Sequence, residues 1–479
     1  MDLDSTSLGA PLITDVENTT HASSRRREER DWVTTIKDDL RQVSQMRPGS
    51  AYVMYRVRPQ LRALKPQHYA ATEFSFGLFD RSPRGTRMTR ADKCKLLMGN
   101  AVLKLMGMTE TEWPKLSQMV VPNPKEMQDR YDELGRDPLS LQEVQSLLTL
   151  DAVFLAGFLG SRFYGPFAER LGSAIDPMTT EMMINSLVTD IFKVENQIPL
   201  SLIHTVILIL LEKVGVEEHV DRMQVASEIL SAVCLIMLGY IAPDLPGRGG
   251  DMLSRAEGIH FVQCNSFLDC LYRVMCQGMK ESKPAMWKGK EWNLPPVTEL
   301  QSAGIEFRGR KGTFHDIEFK AGWLKGTLYL PKLDLNDMSE TLFRNLVAYE
   351  EFHHYDSKDF TLYLHLLDTL IDSHQDVAVL KSGNYPVIDV YNLGDTRVGA
   401  KLFNGGLLQY CDAEPNDRWR LIYRQVYDFY HQERRRTYLE FLETNFGKPW
   451  LTASVVAAII LLILTILQTY YTVAQYYQN

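Results

Sequence analysis

A chain of 479 residues that is 45% hydrophobic and 23% charged can bury a sizeable core and has the composition of a folded protein. Its net charge of -8 excludes general nucleic-acid binding, because neutralising phosphates requires a basic surface. Six cysteines over this length exclude a disulfide scaffold. Cys264, Cys270 and Cys276 recur at six-residue spacing in an apolar stretch, which fits neither a zinc knuckle nor a redox pair and reads as buried thiols.

Residues 1–31 are polar, rich in Thr and Ser, and end in Arg25-Arg26-Arg27-Glu28-Glu29-Arg30, the pattern of a disordered tail. The opening Met1-Asp2-Leu3-Asp4 is acidic and no apolar region follows, so no secretory signal is expected and the bulk should fold in the cytosol. A sequon at Asn18 inside this tail is weak evidence for glycosylation. Order is expected from Trp32, where Trp32, Val33, Ile36 and Leu40 share one helical stripe.

The middle predicts buried helices over Leu147–Phe163, Met182–Val194, Leu200–Val214 and Val225–Ile241, each too densely apolar for a surface helix. Asp151 and Glu228 interrupt two of them, so neither reads as a membrane span. Asp190 and then Glu195-Asn196-Gln197-Ile198-Pro199 mark a helix end and a turn. Their polar groups read as a network satisfying backbone ends, with a ligand site the less favoured reading. Ala242–Arg255 reads as a loop. Over residues 303–331 the period shortens, and Ile305, Phe307, Phe314, Ile317, Phe319, Leu324, Leu328 and Leu330 separated by glycines predict short β-strands. Helix resumes at Ser339, the expected N-cap. The fold class expected is mainly α: one large helical domain over 32–446 with a small β element at 303–331, then an anchor and short tail over 447–479.

No charged side chain occurs from Pro449 to Asn479, and Leu451–Leu467 holds eleven Leu, Ile or Val residues. At about −0.3 to −0.6 kcal/mol each they contribute roughly −3 to −7 kcal/mol towards insertion. Trp450 at one end and Tyr470–Tyr471 at the other stand where the two headgroup layers would lie. Leu451, Val455, Ile459, Leu462 and Ile466 supply the apolar body of a single membrane-spanning helix. Thr452, Ser454 and Thr465 subtract little, because a helical hydroxyl can bond back to a preceding carbonyl. Arg434, Arg435, Arg436 and Lys448 precede the segment and no Lys or Arg follows it. The large domain is therefore expected in the cytosol, with post-translational insertion as a tail anchor and Thr472–Asn479 across the bilayer. The three arginines would also attract anionic lipid, or pair with Glu433 and Glu440.

Several blocks, in this order, resemble the plant domain-of-unknown-function family two-forty-seven, an uncharacterised plant membrane family. They are Trp32-x3-Ile36-x3-Leu40, Tyr55-Arg56-Val57-Arg58-Pro59, Phe74-Ser75-Phe76-Gly77-Leu78-Phe79, Leu148-Thr149-Leu150-Asp151 and Val194-Glu195-Asn196-Gln197-Ile198-Pro199. Thr298-Glu299-Leu300-x2-Ala303-Gly304-Ile305, Leu342-Phe343-Arg344-Asn345-Leu346 and Asn445-Phe446-Gly447-Lys448-Pro449-Trp450 follow. Arg58 is inserted before the family's proline, and Leu78 stands in place of another, which marks a divergent member. The resemblance implies a plant protein with a helical domain, a C-terminal anchor and no established catalytic residues. Some grass members act in pollen recognition during self-incompatibility.

Two Glu-x-x-His steps, Glu257/His260 and Glu351/His354, with Glu350 and His353 beside the second, are the only catalytic candidates. Carboxylate and imidazole at this spacing share a helical face, as in di-metal bundles. Phosphate-binding loops, nucleophile elbows and kinase motifs do not occur. The favoured expectation is a non-enzymatic, membrane-tethered interaction or recognition protein that needs no cofactor. Its partners would be a lipid bilayer and a protein, and the alternative is a membrane-bound enzyme using a Glu-x-x-His metal site. Ala453/Ala457 and Ser454/Ala458 have the spacing of a close helix pair, so a homodimer through the anchor is a further expectation.

Overall fold

The computed structural model describes residues 53–79, 88–131, 139–175, 181–215, 221–241, 259–276, 293–312, 314–353, 358–390, 395–411, 413–432 and 449–478. The expected tail over 1–31, the stripe at Trp32, the loop over 242–255, Glu257, His354, Arg434, Arg435, Arg436 and Lys448 lie outside the described residues.

The described chain is mainly helical. An extended stretch from Val53 carries α1 (Pro59–Leu64) and runs on to Phe79. Next come α2 (Arg90–Met106), α3 (Trp113–Val120), α4 (Pro124–Asp129), α5 (Leu141–Gly160), α6 (Gly165–Ile175), α7 (Glu181–Ile191), α8 (Leu200–Val214), α9 (Arg222–Ile241) and α10 (Phe267–Cys276). Capping boxes start α2 at Thr89/Asp92 and α5 at Ser140/Glu143, where the hydroxyl accepts from the amide of the acidic residue and the carboxylate from the amide of the Thr or Ser. Gly107 and Gly215 end α2 and α8 in the left-handed conformation that a side chain would strain.

Helix α5 is apolar on nearly every side and lies at the centre, packed against α2, α6 and α8, with α9 against α8. Val153, Phe154 and Leu155 are at most 1% exposed. Burying each such side chain contributes about 1.5–3 kcal/mol, which makes this the principal core.

After α11 (Val297–Ser302) come β1 (Ile305–Arg310), β2 (Glu318–Ala321), β3 (Gly326–Pro331) and β4 (Leu333–Leu335). They are followed by α12 (Ser339–Phe352), α13 (Asp359–Leu370), α14 (His374–Lys381), β5 (Ile388–Val390), α15 (Thr396–Asn404), α16 (Asp417–Tyr430) and α17 (Pro449–Gln478). β2 and β3 form the hairpin that the glycine spacing predicts, and β1 adds to the far side of β3 in parallel. Gly309 is needed here: a Cβ on it would stand 1.9 Å from the Pro386 carbonyl oxygen, and its amide donates to the Tyr385 carbonyl. The β4–β5 pair was not expected, because two three-residue strands far apart in the chain carry no local period. Ser339 is the first helical residue rather than the N-cap, and its hydroxyl accepts from the Asn336 amide.

Candidate membrane anchor and domain surface

The C-terminal helix runs from Pro449, whose missing N–H costs nothing at a helix start, to Gln478. It extends past Tyr470 and Tyr471 through most of the segment expected to be a short tail. Ala453–Val473 is a 21-residue stretch of which none is buried. At 1.5 Å rise per residue it is roughly 30 Å long, the thickness of a bilayer's hydrocarbon core. Leu461, Leu462 and Ile466 are 63%, 61% and 60% exposed. Thr465, Thr469 and Thr472 each return their hydroxyl to the carbonyl four residues earlier, so these polar groups are satisfied without water. A helix of this length and apolarity is able to span a membrane. Trp450 and Leu451 lie on the described helix, and Val455, Ile459, Leu462, Ile466, Tyr470 and Tyr471 lie along its course.

In the domain the polar residues that interrupt apolar runs meet in one buried network. Asp190 accepts from the amides of Thr72, Glu73 and Phe74 and from Lys193, at 2.8–2.9 Å. Asn196 accepts from the Phe76 amide and donates to the carbonyls of Phe74 and Asp190. Glu195 accepts from the Val57 amide and pairs with Arg62, while Gln197 caps the carbonyls of Ile191 and Lys193 and accepts from the Leu268 amide. Asp151 accepts from the Gly77 amide and pairs with Lys95 at 2.7 Å, both nearly inaccessible. Lys95 also reaches the Ser75 carbonyl and lies over the Phe76 ring. Asn345 accepts from the Val194 amide and donates to the His68 carbonyl.

Outside α1 and the turn after it, the amides of Val57, Thr72, Glu73, Phe74, Phe76 and Gly77 are taken by these side chains. The turn-network reading of Glu195-Asn196-Gln197 therefore matches the geometry. Blocks scattered from Val57 to Asn345 are joined at a single scaffold.

With Glu257 and His354 outside the described residues, neither Glu-x-x-His step is described whole. Glu351 is paired with Arg58 and Lys358. Glu350 is fully buried and accepts from Tyr272, the amides of Phe360 and Thr361, and the Thr361 hydroxyl. Burial raises its carboxyl to about 7, against the pull of those donors from Thr361, Phe360 and Tyr272. His353 packs against the rings of Tyr349 and Tyr55. Among the described residues no group of three or more His, Cys, Asp or Glu side chains is placed to hold a metal ion. Cys264 and Cys270 are buried, as expected, with Cys270 Sγ 3.9 Å from Cys234 Sγ. Burial pushes the Cys270 thiol well up.

Two surface features escaped the sequence reading. A cleft of about 460 Å³ opens between α2 and α5, lined by Leu96, Gly99, Asn100, Trp113, Leu147 and Leu150 among others. Gly99 makes it: a Cβ there would meet Leu150 at 3.3 Å and the Trp113 ring at 3.6 Å. A glycine inside a 17-residue helix, costing about 0.5–1 kcal/mol against alanine, was the available signal. The other is Trp323, 85% exposed on the β2–β3 turn.

A helical domain stapled through its buried polar side chains, followed by one uncovered helix of membrane-spanning length, defines the class of this protein. The chain belongs to the plant domain-of-unknown-function family two-forty-seven, described as "Plant protein of unknown function", whose pattern matches residues 54–464. It is 20% identical over 443 residues to UPF0481 protein At3g47200 of Arabidopsis thaliana, covering 88% of this chain and 86% of that one. It is 32% identical over 117 residues to Putative UPF0481 protein At3g02645 of the same plant, covering 24% of this chain and 21% of the other. No solved structure matches.

Proposed function

We propose that this chain is a membrane-tethered, non-enzymatic interaction protein. In this reading α17 spans a bilayer, the helical domain stands on its cytosolic side, and the domain recognises a protein partner. The observation that carries the tether is a 21-residue apolar stretch with no residue buried, in a chain whose core is otherwise well covered. Orientation in this reading follows from Arg434, Arg435, Arg436 and Lys448, which precede the uncharged Pro449–Asn479 segment. The interaction reading is supported by where the carboxylates go. Asp151, Asp190, Glu195 and Glu350 are consumed by backbone amides and structural partners rather than converging on a cleft.

The α2–α5 cleft is the surface that suits a partner, with apolar walls from Leu96, Leu147 and Leu150, the Trp113 ring and polar Asn100. Leu96 and Leu97 beside it are each 45% exposed.

Protease treatment of sealed vesicles tests the topology. Digestion of the domain from the cytosolic face, with α17 protected, is expected; a protected domain would reverse the orientation. Proximity labelling in plant membranes tests recognition. A partner labelled by the native protein should be lost with Leu96→Glu, at the exposed edge of the cleft, while the variant keeps its thermal midpoint. Unchanged labelling would remove the cleft from the account.

A further inference from the structure

Trp323 is the most exposed large apolar side chain among the described residues outside α17, and no other reaches its 85%. It sits at the tip of the β2–β3 hairpin in the run Lys320-Ala321-Gly322-Trp323-Leu324-Lys325-Gly326, which contains two lysines and no acid. The turn is well formed, with the Gly322 amide donating to the Lys325 carbonyl at 3.0 Å and the Gly326 amide to the Gly304 carbonyl at 3.0 Å. Lys320 and Lys325 are 60% and 67% exposed and pair with Glu318 at 3.6 Å and with Glu306 at 2.7 Å, surface pairs that an anionic leaflet would compete with. An indole held out in water wastes much of its apolar surface. A headgroup layer, by contrast, accepts the ring's apolar body and its polar N–H together, and lysines beside it meet lipid phosphates.

The position of the hairpin says which surface it faces. Its stem holds the last described helix before the anchor: Phe319 packs edge-on against Phe429 at 5.2 Å. A Cβ on Gly326 would stand 2.5 Å from the Phe319 ring and 2.9 Å from the Phe429 ring. Trp323 is four residues from Phe319, so the tip lies within roughly 14 Å of Phe319 by chain length alone. Helix α16 ends at Tyr430, beside Phe429, and α17 begins at Pro449. The tip is therefore tied through Phe319 to the end of the last described helix before α17, and the basic run Arg434-Arg435-Arg436 follows soon after in sequence.

We propose that the Gly322–Lys325 tip is a second membrane contact, placing Trp323 among the headgroups of an anionic leaflet with Lys320 and Lys325 against lipid phosphate. This rests on the tether reading. Two attachment points would fix how the domain stands on the bilayer, where one helix alone would let it swing. Attraction of the basic side chains to an anionic surface would add to what the indole gains.

The test uses the full chain reconstituted into vesicles, with a single nitrobenzoxadiazole label on Trp323→Cys, Met182→Cys or Leu464→Cys in separate preparations. Met182 is 79% exposed on α7, and Leu464 lies within α17. The described native cysteines are buried and should label slowly. In phosphatidylserine-containing vesicles the label at 323 is expected to emit blue-shifted light and to be quenched by headgroup nitroxides more than the label at 182. Both effects should diminish with Lys320→Glu and Lys325→Glu, or in phosphatidylcholine alone. If Leu464 reports lipid while position 323 emits as in water and matches 182, the proposal falls with the tether intact, and the tip returns to a protein partner. If neither 464 nor 323 reports lipid, the tether itself falls.

Discussion

Among the described residues two helices have the length and apolarity to cross a bilayer, α5 over Leu141–Gly160 and α17 over Ala453–Val473, and their surroundings are opposite. Of the first, 72% is buried inside the domain; of the second, none. What separates them is the treatment of polar groups. Helix α5 carries Asp151 at its centre and supplies it with Lys95 and the Gly77 amide. It starts at a capping box and is packed by α2, α6 and α8. Helix α17 carries no charge, folds its threonine hydroxyls back on itself and leaves its leucines outward. Apolarity alone does not tell a core helix from a membrane helix; a buried charge with a partner does.

The comparison breaks most directly at that charge. Lys95→Met leaves Asp151 buried with one partner fewer and is expected to destabilise the domain by about 3–5 kcal/mol. Phe154→Ala, in the same helix, should cost about 3–5 kcal/mol. Leu461→Ala in α17 should leave the domain's unfolding unchanged, because its side chain is 63% exposed. Urea unfolding in detergent, followed by tryptophan fluorescence, measures all three, and equal losses in α5 and α17 would erase the distinction.

Glu350 tests the same rule through pH. Its carboxyl is held at about 7 in the fold, above its value of 4.5 in the unfolded chain. The fold is favoured most below the unfolded value, loses stability as pH rises from there through about 7, and levels off above. The loss is expected to be on the order of a few kcal/mol, read as a lower urea midpoint at about pH 8 than at about pH 5. Glu350→Gln should flatten that slope; an unchanged slope assigns it to another group. The smallest effect expected is at the cleft. Gly99→Ala gains helix propensity but crowds Leu150, so its net shift should stay within about 1 kcal/mol by the same denaturation.

Much of this architecture was legible in the chain, for reasons tied to particular residues. Helix α8 is read to its ends because Pro199 stops it on one side and Gly215 on the other. Helix α5 begins at Leu141, earlier than the apolar density suggests, because its first two turns are amphipathic; the Ser140/Glu143 box carried the signal. The β region was visible from its period, but not the parallel pairing of β1 with β3 or of β4 with β5. Strand partners distant in sequence leave no local trace.

The staples on 53–79 are hidden for the same reason. Asp190 and Asn196 look like the end of one helix, yet they hold backbone more than a hundred residues away. The blocks that carry the family resemblance therefore report a shared scaffold. The cleft takes Leu150 from those blocks and the Trp323 tip takes none; Gly99 and a tryptophan between Gly322 and Leu324 were the signs available.

The measurement closest to the central claim is alkaline carbonate extraction of membranes carrying the full-length protein, beside a variant with Leu461→Arg and Leu464→Arg. Two arginines near the middle of α17 add roughly 5–7 kcal/mol against insertion, about what its apolar residues supply. The account predicts that the native protein stays in the pellet and the variant, with its domain still folded, moves to the supernatant. Release of the native protein, or retention of both, would contradict it.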